Sequence, residues 1–157
     1  MKQSGQIVPL FAFSLVALAL MAGLGVDGGY ALFQQRQAQN AADLSSAAAV
    51  ELLAQPCSGS GTAPTGSEVV ADINTVIATS ESTGSPVVTW TGEYLNSSAG
   101  ALAPVNSAAP PSGACEIEVK VTSTWHTGLM ALAFPTVTAR VSAVSGYEAS
   151  GSGRVLA

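Results

Sequence analysis

Few residues in this chain have the type and spacing to do chemistry, and each has a plainer reading. His126 is the only histidine, so a metal cluster or a His-based triad would have to rest on it alone. Cys57 and Cys115 are the only cysteines, too few and too far apart for a zinc site, which takes four ligands. If the segment after residue 27 lies outside the cytoplasm, the natural reading is a disulfide. It would close a loop of roughly 60 residues, a constraint of about 4 kcal/mol in the chain-entropy view. Glu116 and Glu118 share one face of a strand pattern about 7 Å apart, superficially a carboxylate pair for acid–base work. Lys120 continues that face and Arg140 follows on the next strand, so a solvated charge ladder is the better account. Ser58-Gly59-Ser60-Gly61 is linker composition and not a nucleophile elbow. Gly23-Leu24-Gly25-Val26-Asp27-Gly28 spells a dinucleotide fingerprint, but that motif needs a strand before it and a helix starting at it. Here the glycines end an apolar run. No catalytic, cofactor-binding or metal-ligating residue is assigned, and no enzymatic activity is expected.

The element that must position everything else is the stretch 5–54. Residues 7–26 carry no charge, and about 20 apolar residues in a helix match the hydrocarbon core of a bilayer. The helical signal continues through 30–53, which lack proline and are rich in Ala, Gln, Leu and Arg. Breakers appear only at 55–59. One helix of about 50 residues, roughly 75 Å long, is expected, with its first half in lipid. Pro9 falls in the first turn, where a missing N–H costs nothing. Gly23, Gly25, Gly28 and Gly29 cluster at the outer membrane boundary, where small residues permit close approach of another helix. With Asp27, Tyr30 and Phe33 they form the expected packing surface, Asp27 being placed to pair with a partner's cation.

The chain thus divides into a cytoplasmic tail (1–6), a span (7–26), an extracytoplasmic helix (27–55) and a small head (56–157). Lys2 before the span and the short polar tail favour an amino terminus in the cytoplasm. A cleavable secretory signal fits less well, because its apolar core would be about 7–15 residues and a clear A-x-A site is missing. The net charge of −5 leaves no basic footprint for nucleic acid, and five scattered cations make no polybasic lipid-binding segment.

Beyond the span, Tyr30, Phe33, Ala41, Leu44, Ala48 and Leu52 recur at helical steps as one apolar stripe. Residues 58–66 are a linker by composition, and Ser67 is placed to cap a second helix with Val69, Val70, Ile73 and Ile77 on one face. Residues 87–95 read as a strand, and 96–113 as a long flexible Ala/Pro/Ser/Gly loop. Residues 115–124 alternate cleanly, with Cys115, Ile117, Val119 and Val121 on one side. A short apolar connection over 125–134, stopped by Pro135, leads to a second alternating strand over 136–147. The two strands read as antiparallel neighbours whose apolar face the striped helix covers. The fold class is α+β, a long amino-terminal helix packed on a small antiparallel sheet.

In this layout, LMAGLGVDGGYALFQQRQAQNAADLSSAAA carries a glycine-rich exit, a Val-Asp, an aromatic-to-Arg-Gln step and a Gln-Asn-Ala-Ala-Asp run before an alanine tract, preceded by Gly5-Gln6. Their order and spacing resemble the TadE/TadG-like proteins of tight-adherence (Flp) pilus assembly. The resemblance rests on residues 5–50. It implies a pilin-like, single-span protein of the bacterial inner membrane with its head outside the cytoplasm. Its partners would be the lipid bilayer and other pilus-assembly or pilin subunits, with no nucleic acid, small-molecule substrate or cofactor. Some relatives are cut by a prepilin peptidase after a glycine. The candidate here is Gly5, leaving Gln6 first. The fifth mature position, where pilins commonly carry Glu, is then Leu10, which favours a membrane-resident component over a filament subunit. The competing reading is a membrane-tethered binding or adhesion module outside any filament.

Overall fold

One helix, α1 (Ile7–Cys57), runs for 51 residues, about 76 Å at 1.5 Å per residue. The computed structural model describes residues 7–59, 61–80, 86–132 and 134–147; the tail, with Lys2, Gly5 and Gln6, lies outside the described residues. The helix outlasts the expected stop at residue 55 and carries Pro56 in its last turn. Gly59 beyond it takes φ 73°, the left-handed conformation that glycine supplies after a helix end. A shorter helix, α2 (Gly66–Ser80), follows. Four strands, β1 (Val87–Leu95), β2 (Ala101–Pro104), β3 (Glu116–His126) and β4 (Thr136–Gly146), pair antiparallel in the order β2-β1-β3-β4. Both helices lie on one face of this sheet, α1 over β3 and β4 and against α2. The molecule is α+β.

The sheet's buried face is the alternate set Ile117, Val119, Val121 and Trp125 of β3, as a period of two requires. α2 adds Val69, Ile73 and Ile77 to the core. The face that α1 presents differs from the expected stripe. Gln34, Ala38, Ala41, Ala42, Ser45, Ser46, Ala49 and Leu53 are buried, whereas Phe33, Leu44 and Leu52 are exposed. The expected phase follows the largest apolar side chains; between Gln34 and Leu53 the packed side is instead alanine and serine, which lets the helix backbone come close to the strands. The serines tolerate burial because their hydroxyls are satisfied locally. Ser45 Oγ donates to Ala42 O at 3.1 Å and Ser46 Oγ to Asp43 O at 3.0 Å, the back-bonding open to serine within a helix. Ser46 Oγ also meets Ser145 Oγ of β4 at 2.9 Å.

Two local readings are corrected. The cap of α2 is Thr65 rather than Ser67. Thr65 Oγ1 accepts from Glu68 N at 3.2 Å and Glu68 Oε2 accepts from Thr65 N at 2.7 Å, a reciprocal capping box. The stretch 96–113 is not one continuous loop, since β2 lies within it. Asn96 Oδ1 accepts from Ser98 N at 2.9 Å and Gly100 N at 2.8 Å. That local turn chemistry reverses the chain and returns Ala101–Pro104 to the edge of β1.

Cys57 and Cys115 are joined as a disulfide across a sequence separation of 58. The bond ties the far end of α1 to the residue before β3. On the opposite, outer face of the sheet, Lys120 and Glu118 form an exposed ion pair at 2.9 Å. Glu118, and then Glu93 directly across from it, hold the Lys120 ammonium above its ordinary pKa. Arg140 pairs in register with Thr122, one step along that face.

Two predictions follow from this packing. Ala42 is fully buried while Leu44 is 57% exposed. Ala42→Leu should therefore lower stability by about 1–3 kcal/mol through overpacking, and Leu44→Ala should change it by less than about 0.5 kcal/mol. Urea unfolding of the full chain in detergent micelles, followed by near-ultraviolet dichroism, measures both. Thr65→Ala should cost about 1 kcal/mol. The Thr65 N–H, followed by its hydroxyl, holds the Glu68 carboxyl below its ordinary value of 4.5. That contribution is fully present above the unfolded value and is lost as pH falls through the lower folded value. Glu68→Gln should remove this acid-side dependence from a stability–pH profile.

Candidate interaction site at the hairpin end of the head

β3 and β4 form a hairpin in register from Glu116↔Gly146 to His126↔Thr136. The hairpin turns at the end nearer the apolar half of α1. Its connection, residues 127–135, contains a short 3-10 turn, Leu129–Leu132. Two helix residues meet this turn and a third meets the strand leading into it. Gly23 is buried against Leu129, whose Cβ would lie 3.1 Å from a Cβ added at Gly23. Asp27 Oδ2 accepts from Met130 N at 2.7 Å, and Oδ1 accepts from Gly128 N at 3.2 Å. The carboxylate thus accepts one amide just before the 3-10 turn and one within it, much as an N-cap does. One helical turn on, Tyr30 and Trp125 stack edge to face with ring centroids 6.5 Å apart.

The connection is also closed on itself. Phe134 N donates to Met130 O at 2.8 Å and Thr127 N to Pro135 O at 3.3 Å. The Thr127 hydroxyl donates to Phe134 O, and His126 Nδ1 lies 3.3 Å from Pro135 O. His126 is therefore a hairpin-end residue, and among the described residues no group of three or more His, Cys, Asp or Glu is placed to hold a metal ion.

The expected packing surface divides in two. At 100° per residue, Gly23, Asp27 and Tyr30 fall on one side of α1, and that side meets the protein's own head. Gly25, Gly28 and Gly29 fall on the opposite side, where an added Cβ meets nothing within 4 Å. Phe33 is half exposed, outside the helix–sheet contact. Both Asp27 oxygens have donors within the chain. The Asp27 partner escaped sequence reasoning because it is a pair of backbone amides about 100 residues away, and backbone donors carry no residue signature.

Residues 5–55 match the family model Tad, described as "Putative Flp pilus-assembly TadE/G-like". The match covers about one third of the chain and coincides with α1 almost end to end. It does not extend into the sheet. No curated protein and no solved structure matches the chain.

The two hydrogen bonds to Asp27 give a direct prediction. Asp27→Ala should cost about 2 kcal/mol, since each bond from a neutral donor to a charged acceptor contributes about 1.5–3 kcal/mol and one of the two is long. Amide exchange at Gly128 and Met130 should speed up while exchange in the middle of β3 stays slow. Unchanged protection at both amides would show that the carboxylate does not hold the turn.

Proposed function

We propose that this chain is a membrane-anchored component of Flp-type pilus assembly, working through helix packing and protein contacts rather than catalysis. The observation that carries the reading is the coincidence of the Tad match with one continuous helix. That helix is long and apolar enough to cross a membrane, and only 6% of its most apolar 18-residue stretch is buried within the protein. A solvent for that surface is needed, and lipid supplies it. The disulfide supports a head outside the cytoplasm, because such bonds persist in oxidising compartments. This orientation leaves the amino-terminal side of the span in the cytoplasm of a bacterial inner membrane. The second half of α1 then serves as the stalk on which the head is built.

In this reading the helix has two working sides at the membrane exit. One holds the head through Gly23, Asp27 and Tyr30. The other offers Gly25, Gly28 and Gly29 to a pilus-assembly or pilin subunit, since small residues let helix backbones approach closely. The role is that of a minor pilin or a resident assembly component, and removal of residues 1–5 by a peptidase would separate the two.

Paired substitutions test the assignment. Gly25→Leu with Gly28→Leu should leave head stability unchanged, because nothing in the chain occupies that space. The same pair should reduce both surface pili and co-purification of other assembly components from membranes. Normal piliation and unchanged co-purification with the double variant would remove the glycine side from the mechanism. Normal pili in a strain lacking the protein altogether would remove the pilus assignment.

A further inference from the structure

The connection between β3 and β4 does something its own fold does not require. Residues 127–135, TGLMALAFP, carry no charge, and the turn displays Leu129 at 66% and Phe134 at 61% exposure. It is also displaced along α1 towards the apolar half. Leu129 lies against Gly23, four residues and about 6 Å inward from Asp27, and within the uncharged run 7–26. Leu20 and Leu24, flanking this level of the helix, are exposed as well. The apolar surface of the turn is therefore continuous with the apolar surface of the span.

We infer that the β3–β4 turn inserts into the bilayer beside α1 as a second membrane contact, immersing Leu129 and Phe134 in the lipid leaflet on the head's side. This rests on the reading of α1 as a membrane span. Backbone in lipid must have its polar groups satisfied within the protein. The amides of Thr127, Gly128, Met130 and Phe134 all donate to acceptors in the chain, two of them to Asp27, and Pro135 has no amide hydrogen. The Thr127 hydroxyl is likewise used internally. Just above the turn, Tyr30 is exposed and packs edge to face on the buried Trp125, one helical turn from Asp27, where a tyrosine ring favours the membrane–water boundary. Asp27 sits at that same boundary and enters it with both oxygens already hydrogen-bonded. Lipid is the occupant that the exposed apolar side chains fit, and these internal hydrogen bonds lower the cost of placing the turn there.

The consequence is geometric. A single span leaves the tilt of the helix and the head it carries free, whereas a second immersed point fixes which side of the head faces the membrane.

Tryptophan reporters in the full chain test the inference, using phosphatidylcholine vesicles with acyl chains that are brominated or unbrominated. Phe134→Trp and Ala131→Trp report on the turn, Leu18→Trp on the span and Leu102→Trp on the far edge of the sheet. Emission of the parent, from Trp90 and Trp125, is subtracted. Insertion predicts blue-shifted emission from the turn reporters, with bromine-dependent loss comparable to that of Leu18→Trp and little loss from Leu102→Trp. Turn reporters that behave like Leu102→Trp while Leu18→Trp is quenched overturn insertion and leave the span intact. Blue-shifted but unquenched turn reporters mean that a protein covers the turn, and overturn it too. An unquenched Leu18→Trp overturns the span and the inference with it. Two turn positions are used so that one poorly folded variant cannot decide the outcome.

Discussion

The structure depends on how closely a helix can lie on a sheet. Between Gln34 and Leu53, the buried side of α1 is built from Ala38, Ala41, Ala42, Ser45, Ser46 and Ala49, none longer than a hydroxymethyl group. Larger side chains there would lift the helix off β3 and β4. The cores of α2 and β3, Val69, Ile73, Ile117 and Val119, supply the bulk that α1 does not. Protein interiors are close-packed, so large residues on one element call for small ones opposite. The alanine-rich half of α1 is therefore a complementary surface as well as a good helix former. The same residues that stiffen the stalk let the head sit on it.

Close seating is then secured at both ends of one strand. At the far end, the Cys57–Cys115 bond joins the last residue of α1 to the residue before β3. At the near end, Asp27 and Tyr30 hold the turn and the Trp125 ring that follow from the same strand. The two fastenings act on different states. The disulfide restricts the unfolded chain, whereas the carboxylate satisfies amides that the folded turn would otherwise leave unpaired. β3 cannot slide along α1 without breaking one of them. Its register of inward residues is thereby fixed relative to the helix.

Much of this was legible in the residues themselves. The long helix follows from an uncharged run continued by helix formers, and β3 from strict alternation over Ile117, Val119 and Val121. The disulfide follows from cysteine count and compartment. What escaped reading has identifiable causes. The contact face of α1 was misplaced because Leu44 and Leu52 outrank Ser45 and Ala49 in hydrophobicity, whereas fit rather than hydrophobicity chose the face. Thr65-x-x-Glu68 is a capping pattern plain in the sequence, masked by a serine two residues along. β2 was hidden because Ala101–Pro104 is short and sits among loop-forming residues, and only the Asn96 turn gives it a partner. Gly23 reads as a small residue for another helix, yet its neighbour is Leu129, more than 100 positions away in sequence.

On the proposed reading of α1 as a span, the division of the glycines bears on how a partner would be coupled to the head. Gly23 is committed to the head, while Gly25, Gly28 and Gly29 open on the other side of the same two turns of helix. A partner that approaches the open side therefore presses on a segment whose opposite side carries the head through Asp27 and Tyr30. A flexible linker at the membrane exit would absorb such a contact. Here the helix continues without a break from Ile7 to Cys57, so there is no hinge between span and stalk to take up the motion. Rotation or tilt of such a span would carry the sheet with it along α1, which the disulfide ties to the start of β3. The glycines narrow the helix locally without interrupting it, so one short segment can hold the head on one side and, on the proposed reading, receive a partner on the other.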